Sequence, residues 1–300
     1  MVKIKDLKEY LEEKRNKIEK TLQRFFPKAG RYGQRVFEAS FYSLMAGGKR
    51  IRPILCLAAY ELYKENSDDI LLFASGIECI HTYSLIHDDL PCMDNDDFRR
   101  GKPSCHKAFD EATAILAGDG LQALAFEWFT HPNLTKKIDP LLILRATSCI
   151  AYAIGLKGMV GGQMADLLAE GKKGNTKELR WIHEHKTVAL IRASLLSGAI
   201  LADAPSSDLK ILSEYGKHLG MLFQMVDDLL DLLGDEKTLG KPLQSDLKKK
   251  KLTYPALYGT EKTKILAKKT AEKAINLLIP FGERAKVLKM LTDYLLNRVN

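Results

Sequence analysis

Apolar residues recur at helical spacing along almost the whole chain, while the alternation and hairpin turn signals of β-strands are nearly absent. That pattern predicts helices over about 4–25, 35–46, 53–66, 68–90, 111–130, 136–154, 156–170, 177–202, 207–234, 253–278 and 282–297. The breaks between them fall at Pro27, Gly47-Gly48, Pro91, Pro103, Pro132, Pro140, Gly171 to Gly174, Pro205, Gly234 to Pro242 and Pro280. No connection is long or Ser/Gly-rich enough to be an interdomain linker, and no solenoid period is present. The expectation is all-α: a single domain over 1–300, built as a bundle of about ten or more helices.

Composition supports this. With 300 residues, 46% hydrophobic content and 10 prolines, the chain can bury a large core and has no disordered signature. Met1 to Lys20 mixes lysines with Asp6, Glu9, Glu12 and Glu13, unlike an acid-poor transit peptide, and it lacks an apolar signal core. No run approaches the roughly 20 uninterrupted apolar residues of a membrane span, so a cytoplasmic protein without stable membrane insertion is expected. Five scattered cysteines without a Cys-x-x-Cys pair indicate neither a disulfide framework nor a zinc site. The net charge of +8 is spread among helical segments with interspersed glutamates, with no basic stripe interleaved with aromatics, which argues against nucleic acid.

Two aspartate clusters change the picture. Asp88-Asp89 and Asp94 close an apolar helix that carries Ile77, Ile80 and Tyr83, and Pro91 bends the chain between them. Asp227, Asp228 and Asp231 lie within a run of Met221, Leu222, Phe223, Met225, Val226, Leu229 and Leu230. Asp227 and Asp231 project from one helix face, about 40° apart. An acidic triplet alone is more often a solvated surface, but carboxylates on a helix buried on most sides need cations. Magnesium, held by a few carboxylates, waters and substrate phosphates, is the cation that suits them. The basic motifs complement this. Gly47-Gly48-Lys49-Arg50-Ile51-Arg52-Pro53 joins close-approach glycines to three cations before a helix start, a cradle for diphosphate, and Arg99-Arg100-Gly101-Lys102 follows the first acidic cluster. Either run could instead be a solvated turn.

These residues resemble the trans-isoprenyl diphosphate synthases, or polyprenyl synthetases, over nearly the whole chain. The motifs are Gly-Gly-Lys-Arg-Ile-Arg-Pro at 47–53, Ile-His-Asp-Asp-Leu-Pro-Cys-Met-Asp at 86–94, Arg-Arg-Gly at 99–101, Gly-Gly-Gln-x-x-Asp at 161–166, Lys186-Thr187, Phe-Gln-x-x-Asp-Asp-x-x-Asp at 223–231, Gly240-Lys241 and Lys251-x-Thr253-Tyr254-Pro255. The resemblance implies an isoprenoid synthase-like bundle around a central cavity that joins an allylic diphosphate head-to-tail to isopentenyl diphosphate. It implies that Asp88, Asp89, Asp94, Asp227, Asp228 and Asp231 hold Mg2+, three ions per active site, and that Lys186, Thr187, Gln224 and Lys241 serve catalysis. By the same resemblance Lys49, Arg52, His81 and Arg100 bind isopentenyl diphosphate, Arg99 helps Lys186 and Lys241 neutralise the leaving group, and Lys251 also contacts substrate. His81 and Thr187 have ordinary packing or surface roles as alternatives. Gln163 and Asp166 could support the allylic pocket or merely bond within the bundle. His183 and His185, two apart on a helix, point in different directions and suggest no metal site.

Tyr83, five residues before Asp88, would floor the tunnel for the growing tail; Ser84 beside it and the inserted Pro91-Cys92 resemble the farnesyl-forming bacterial arrangement. The expected product is therefore (2E,6E)-farnesyl diphosphate, with a geranylgeranyl or geranyl diphosphate synthase as the alternative. Phe41, Leu44, Met45 or Ile77 are other candidates for the floor. Departures from the motif pattern are Gln244, the run Lys248 to Lys251 in the expected cover segment from Gly234 to Leu252, and Phe98. A class I terpene cyclase would lack the 47–53 cradle, and a non-catalytic regulatory subunit would have lost its aspartates. The family likeness also implies a homodimer.

Overall fold

The structure is a computed structural model that describes residues 6–233 and 251–298. Its helices are α1 (Leu7–Phe25), α2 (Gln34–Leu44), α3 (Ile51–Tyr60), α4 (Leu71–Asp88), α5 (Cys105–Ala108), α6 (Glu111–Phe129), α7 (Pro132–Thr135), α8 (Pro140–Ile154), α9 (Met159–Ala169), α10 (Thr176–His183), α11 (Ala189–Leu201), α12 (Ser206–Leu233), α13 (Tyr254–Tyr258), α14 (Thr260–Leu277) and α15 (Lys286–Leu296). The all-α expectation holds. Helix starts are set by side-chain caps: Asp6 accepts from Lys8 N at 3.0 Å, Asp110 from Thr113 N at 2.8 Å and Asp139 from Leu141 N at 2.8 Å, with Pro140 at the first position of α8.

Helices α4 and α11 are apolar on nearly every side and run through the core. The first packs mainly on α6 and α3, the second on α3, α8 and α12. This arrangement leaves the C-terminal end of α4, with Asp88, facing α9 and the segment between α10 and α11.

Three departures from the predicted elements have clear causes. The helix expected over 253–278 is broken at Gly259, whose φ of 76° ends α13. The stretch 177–202 is helical throughout but contains a π-helical turn over Glu184–Val188 between α10 and α11. A two-strand hairpin, β1 (Phe98–Arg99) with β2 (Lys102–Pro103), turns on Arg100 and Gly101, both at positive φ.

Ser67–Asp88 and Pro140–Ala169 have the length and hydropathy of membrane spans, which counting uninterrupted apolar residues missed. The first is a core helix, 72% buried over its apolar window. The second is divided at Gly155 to Gly158, where Gly158 has φ −134° and ψ −128°, into helices of 15 and 11 residues. Neither piece reaches the roughly 20 residues a span requires.

Candidate active site

The first acidic wall forms where α4 ends. Asp94 N donates to the Asp88 carbonyl at 2.8 Å, so the chain loops through Leu90 and Pro91 and brings Asp94 back beside Asp88. Gln163 of α9 donates to Asp88 Oδ1, and Lys186 Nζ lies 3.8 Å from the same atom. Lys251 Nζ donates to Asp94 Oδ2 at 2.7 Å and lies 3.6 Å from Asp166. Burial would lower the Lys251 pKa, but Asp94 and Asp166 outweigh it and hold the ammonium charged, its pKa raised. Asp89 turns the other way. Arg99 grips it through Nε, at 3.0 and 3.1 Å, and through Nη2, and Arg99 also reaches Asp96 at 3.2 Å. Burial nevertheless pushes the Asp89 carboxyl up to about 6.

The second wall is joined to the first through the π turn. Lys186 Nζ donates to Asp166 Oδ2 at 2.6 Å, and Thr187 Oγ1 to Gln224 Oε1 at 3.0 Å. Gln224 Nε2 in turn donates to Asp228 Oδ1 at 2.7 Å. The Tyr254 backbone N–H donates to Asp228 Oδ2 at 2.9 Å, so Asp228 clasps α12 to the chain entering α13. Asp228 and Asp231 are buried, whereas Asp227 is half-buried and electrostatically coupled to Lys49 and Arg52. The wide π turn needs α9 very close by. A Cβ on Gly162 would lie 2.2 Å from Lys186 N, so only glycine lets the two backbones meet there.

His183, set aside at the sequence level, belongs to this region. Its ring stacks on Tyr254 with centroids 5.5 Å apart, and Nε2 lies 3.9 Å from Asp228 Oδ2. Burial depresses its pKa to about 3, so the ring is neutral. Its place one turn before Lys186 was the available signal.

On the basic side, Arg52 Nη1 sits 3.2 Å from His81 Nε2. A guanidinium can only donate, so Nε2 is the acceptor and the proton of the neutral ring is on Nδ1. Burial first, then Arg52, drives the His81 pKa well below its usual value. Arg50 departs from the expected cradle: it is 2% exposed and pairs with Glu78 of α4 at 2.6 Å. Glu78 was missed, although it is the single acidic residue of α4 before Asp88. Lys241, Gln244 and Lys248 to Lys250 lie outside the described residues.

A cavity of about 370 Å³ connects these groups. Arg52, His81, Asp88, Gln163, Lys186 and Thr187 line it together with apolar Met159, Val160, Met164, Leu167 and the ring of Tyr83; Met159 and Tyr83 are buried, whereas Val160 and Met164 are exposed at its edge. Tyr83 is 5% exposed, its hydroxyl has no partner among the described residues, and His87 packs edge-on against it at 5.8 Å. Phe41, Leu44, Met45 and Ile77 do not line this cavity. A larger hollow of about 800 Å³ beside α8 and α11 contains none of the predicted site residues, so size alone does not mark the site. Cations and a carboxylate beside apolar side chains in one cavity suit a ligand with a polyanionic head and a hydrocarbon tail.

All the acidic donors are oxygens, and among the described residues no three His, Cys, Asp or Glu side chains form a ready-made metal cage. That fits magnesium, which is commonly bound by one or two carboxylates together with substrate phosphates.

Comparison with known proteins agrees with the geometry. The chain is 43% identical over 292 residues to a geranylgeranyl diphosphate synthase of Cyanophora paradoxa, covering 97% of this chain and 96% of that protein. It is 47% identical over 227 residues to a farnesyl diphosphate synthase of Bacillus subtilis, covering 76% of each. The solved geranyltransferase of Helicobacter pylori, complexed with magnesium and isoprenyl diphosphate, superposes with a TM-score of 0.85 at 32% identity, covering 99% of this chain and 98% of that one. Residues 34–291 match the polyprenyl synthetase model, and with the relatives above this places the chain in the polyprenyl synthetase family.

Proposed function

We propose that this prenyltransferase condenses isopentenyl diphosphate with dimethylallyl and then geranyl diphosphate to give (2E,6E)-farnesyl diphosphate and diphosphate. The observation that carries the reading is one cavity that joins Arg52, His81, Asp88, Lys186 and Thr187 to the buried ring of Tyr83, with Thr187 bonded on to Gln224 beside the second aspartate cluster; we take Tyr83 as the floor for the growing tail. Asp88 and Asp94 on one wall, with Asp227 and Asp231 on the other, would hold Mg2+, in a set of three ions, once a diphosphate completes the coordination. Asp89 and Asp228, already engaged by Arg99 and by Gln224 with Tyr254, complete the acidic set from behind. Bound magnesium supplies positive charge to the departing diphosphate. Lys186, with Lys241, adds charge at the same oxygens, and Lys251 steadies Asp94 and Asp166.

Thr187, oriented by Gln224, faces the electron-poor prenyl fragment. Lys49, Arg52, His81 and Arg100 receive the isopentenyl head group.

The Cyanophora relative makes geranylgeranyl diphosphate synthesis the second reading; Tyr83 at the floor favours the shorter product. Homodimerisation accords with the exposed apolar face of α8, where Leu141, Leu144 and Tyr152 are each at least 60% exposed. The test is incubation with radiolabelled isopentenyl diphosphate and each allylic primer, with and without magnesium, then sizing of the dephosphorylated alcohols. Magnesium-dependent C15 alcohol is expected; C20 as the main product selects the second reading, and no product with any primer refutes both.

A further inference from the structure

Resting on the reading above, we infer that Glu78 is a positioning residue that sets the head-group cradle for isopentenyl diphosphate, acting through Arg50 and Arg100 without touching substrate. Its side chain is 1% exposed and projects from an apolar helix, where an unpaired carboxylate would be costly. Oε1 accepts from Arg50 Nη1 at 2.6 Å and from Arg100 Nη2 at 3.3 Å. Each guanidinium has a second grip on the loop that precedes α3. Arg50 Nη2 donates to the Leu44 carbonyl at 2.8 Å, and Arg100 Nη1 donates to the Gly47 carbonyl. One carboxylate on α4 thereby links, through the two guanidiniums, the end of α2 at Leu44 and the middle of the loop at Gly47.

The backbone shows how strongly these groups are held. Arg50 and Arg100 are both non-glycine residues at positive φ, 51° and 55°, a conformation that persists only when the surroundings impose it. Gly48, at φ 119°, lies so close to Arg100 that a Cβ there would sit 2.7 Å from its guanidinium carbon. His81, three residues after Glu78 on the same helix face, receives Arg52. Arg50 and Arg100 therefore pair with one buried carboxylate whose field also reaches Arg52, while the half-buried Glu19 lies 3.7 Å from Arg50 Nε. Without that charge Arg50 and Arg100 lose the carboxylate that holds them together and aims their grips on Leu44 and Gly47, and repulsion among the guanidiniums is left uncompensated in the buried cradle. The allylic end of the site, built on Asp88, Gln163 and Lys186, makes no contact with Glu78.

The experiment measures, in wild type and Glu78→Gln, steady-state KM for isopentenyl and geranyl diphosphates and calorimetric binding of each. The expected result is a KM and Kd for isopentenyl diphosphate raised roughly tenfold or more, with geranyl diphosphate within about twofold of wild type. A general loss of structure would move both substrates together. Glu78→Asp keeps the charge on a shorter arm and should show a smaller rise confined to isopentenyl diphosphate; it carries the test if the glutamine variant does not fold. Unchanged isopentenyl diphosphate affinity, or equal loss for both substrates, in a wild-type enzyme that turns over would overturn the role of Glu78 alone. Isopentenyl diphosphate binding without any prenyl transfer in wild type would instead overturn the proposed reaction and leave the cradle standing. Wild type that binds no isopentenyl diphosphate removes both.

Discussion

Replacing Tyr83 by alanine tests the chain-length reasoning most directly. The phenol lines the 370 Å³ cavity and is only 5% exposed. Beyond Cβ it has more heavy atoms than one isoprenyl unit and fewer than two, so truncation makes room for one further condensation. The main product should shift from C15 to C20 and stop there. Stability should fall by about 3 kcal/mol, the lower end for losing a buried aromatic, because the ring already borders a void. Tyr83→Phe is the control. It removes a buried hydroxyl that has no hydrogen-bond partner among the described residues, so it should leave the product at C15 and change stability little or raise it by up to about 1 kcal/mol. Chromatography of the dephosphorylated alcohols reads product length, and urea unfolding reads stability. Unchanged C15 from Tyr83→Ala, or lengthening by Tyr83→Phe, would refute the floor, since the first shows that another residue stops the tail and the second that ring volume does not.

Gly162→Ala drives a methyl group against the Lys186 backbone and should cost about 3 kcal/mol in urea unfolding while lowering turnover; wild-type stability would show that the contact is not tight. Arg50→Met leaves Glu78 with Arg100 alone at 3.3 Å and should cost about 3 kcal/mol with an unchanged denaturant slope, checked by the same titration. Asp110 is held at a pKa of about 2 by hydrogen bonds from Thr113, backbone and side chain, and then by Arg35. Its folded-state value lies below the unfolded 3.8, so its contribution is full above about pH 4 and is lost as pH falls towards 2; in acid unfolding Asp110→Asn should show a shallower decline over that window than wild type.

The helices were legible because apolar periodicity and Pro/Gly punctuation act locally. The acidic walls were legible because carboxylates inside an apolar run need partners wherever the run folds. The π turn was not, since Glu184 to Val188 would fit an α-helix equally well and the widening depends on how close Gly162 lets α9 approach. Arg50 and Arg52 are chemically alike in sequence; a left-handed φ at Arg50 sends one inward to Glu78 and leaves the other at His81. The clasp of Asp228 depends on Tyr254, 26 residues further on, and on His183 from a third helix, a tertiary fact that no local pattern encodes.

The pairing of Lys186 with Asp166 and Asp88, and of Lys251 with Asp94, means that the chain carries its own counterions. Asp88, Asp94 and Asp166 therefore rest beside internal cations, and under the proposed function loading would be an exchange of partners. On that proposal each carboxylate that turned to an incoming ion would free an ammonium for phosphate oxygens, so ion and diphosphate should each tighten the grip on the other.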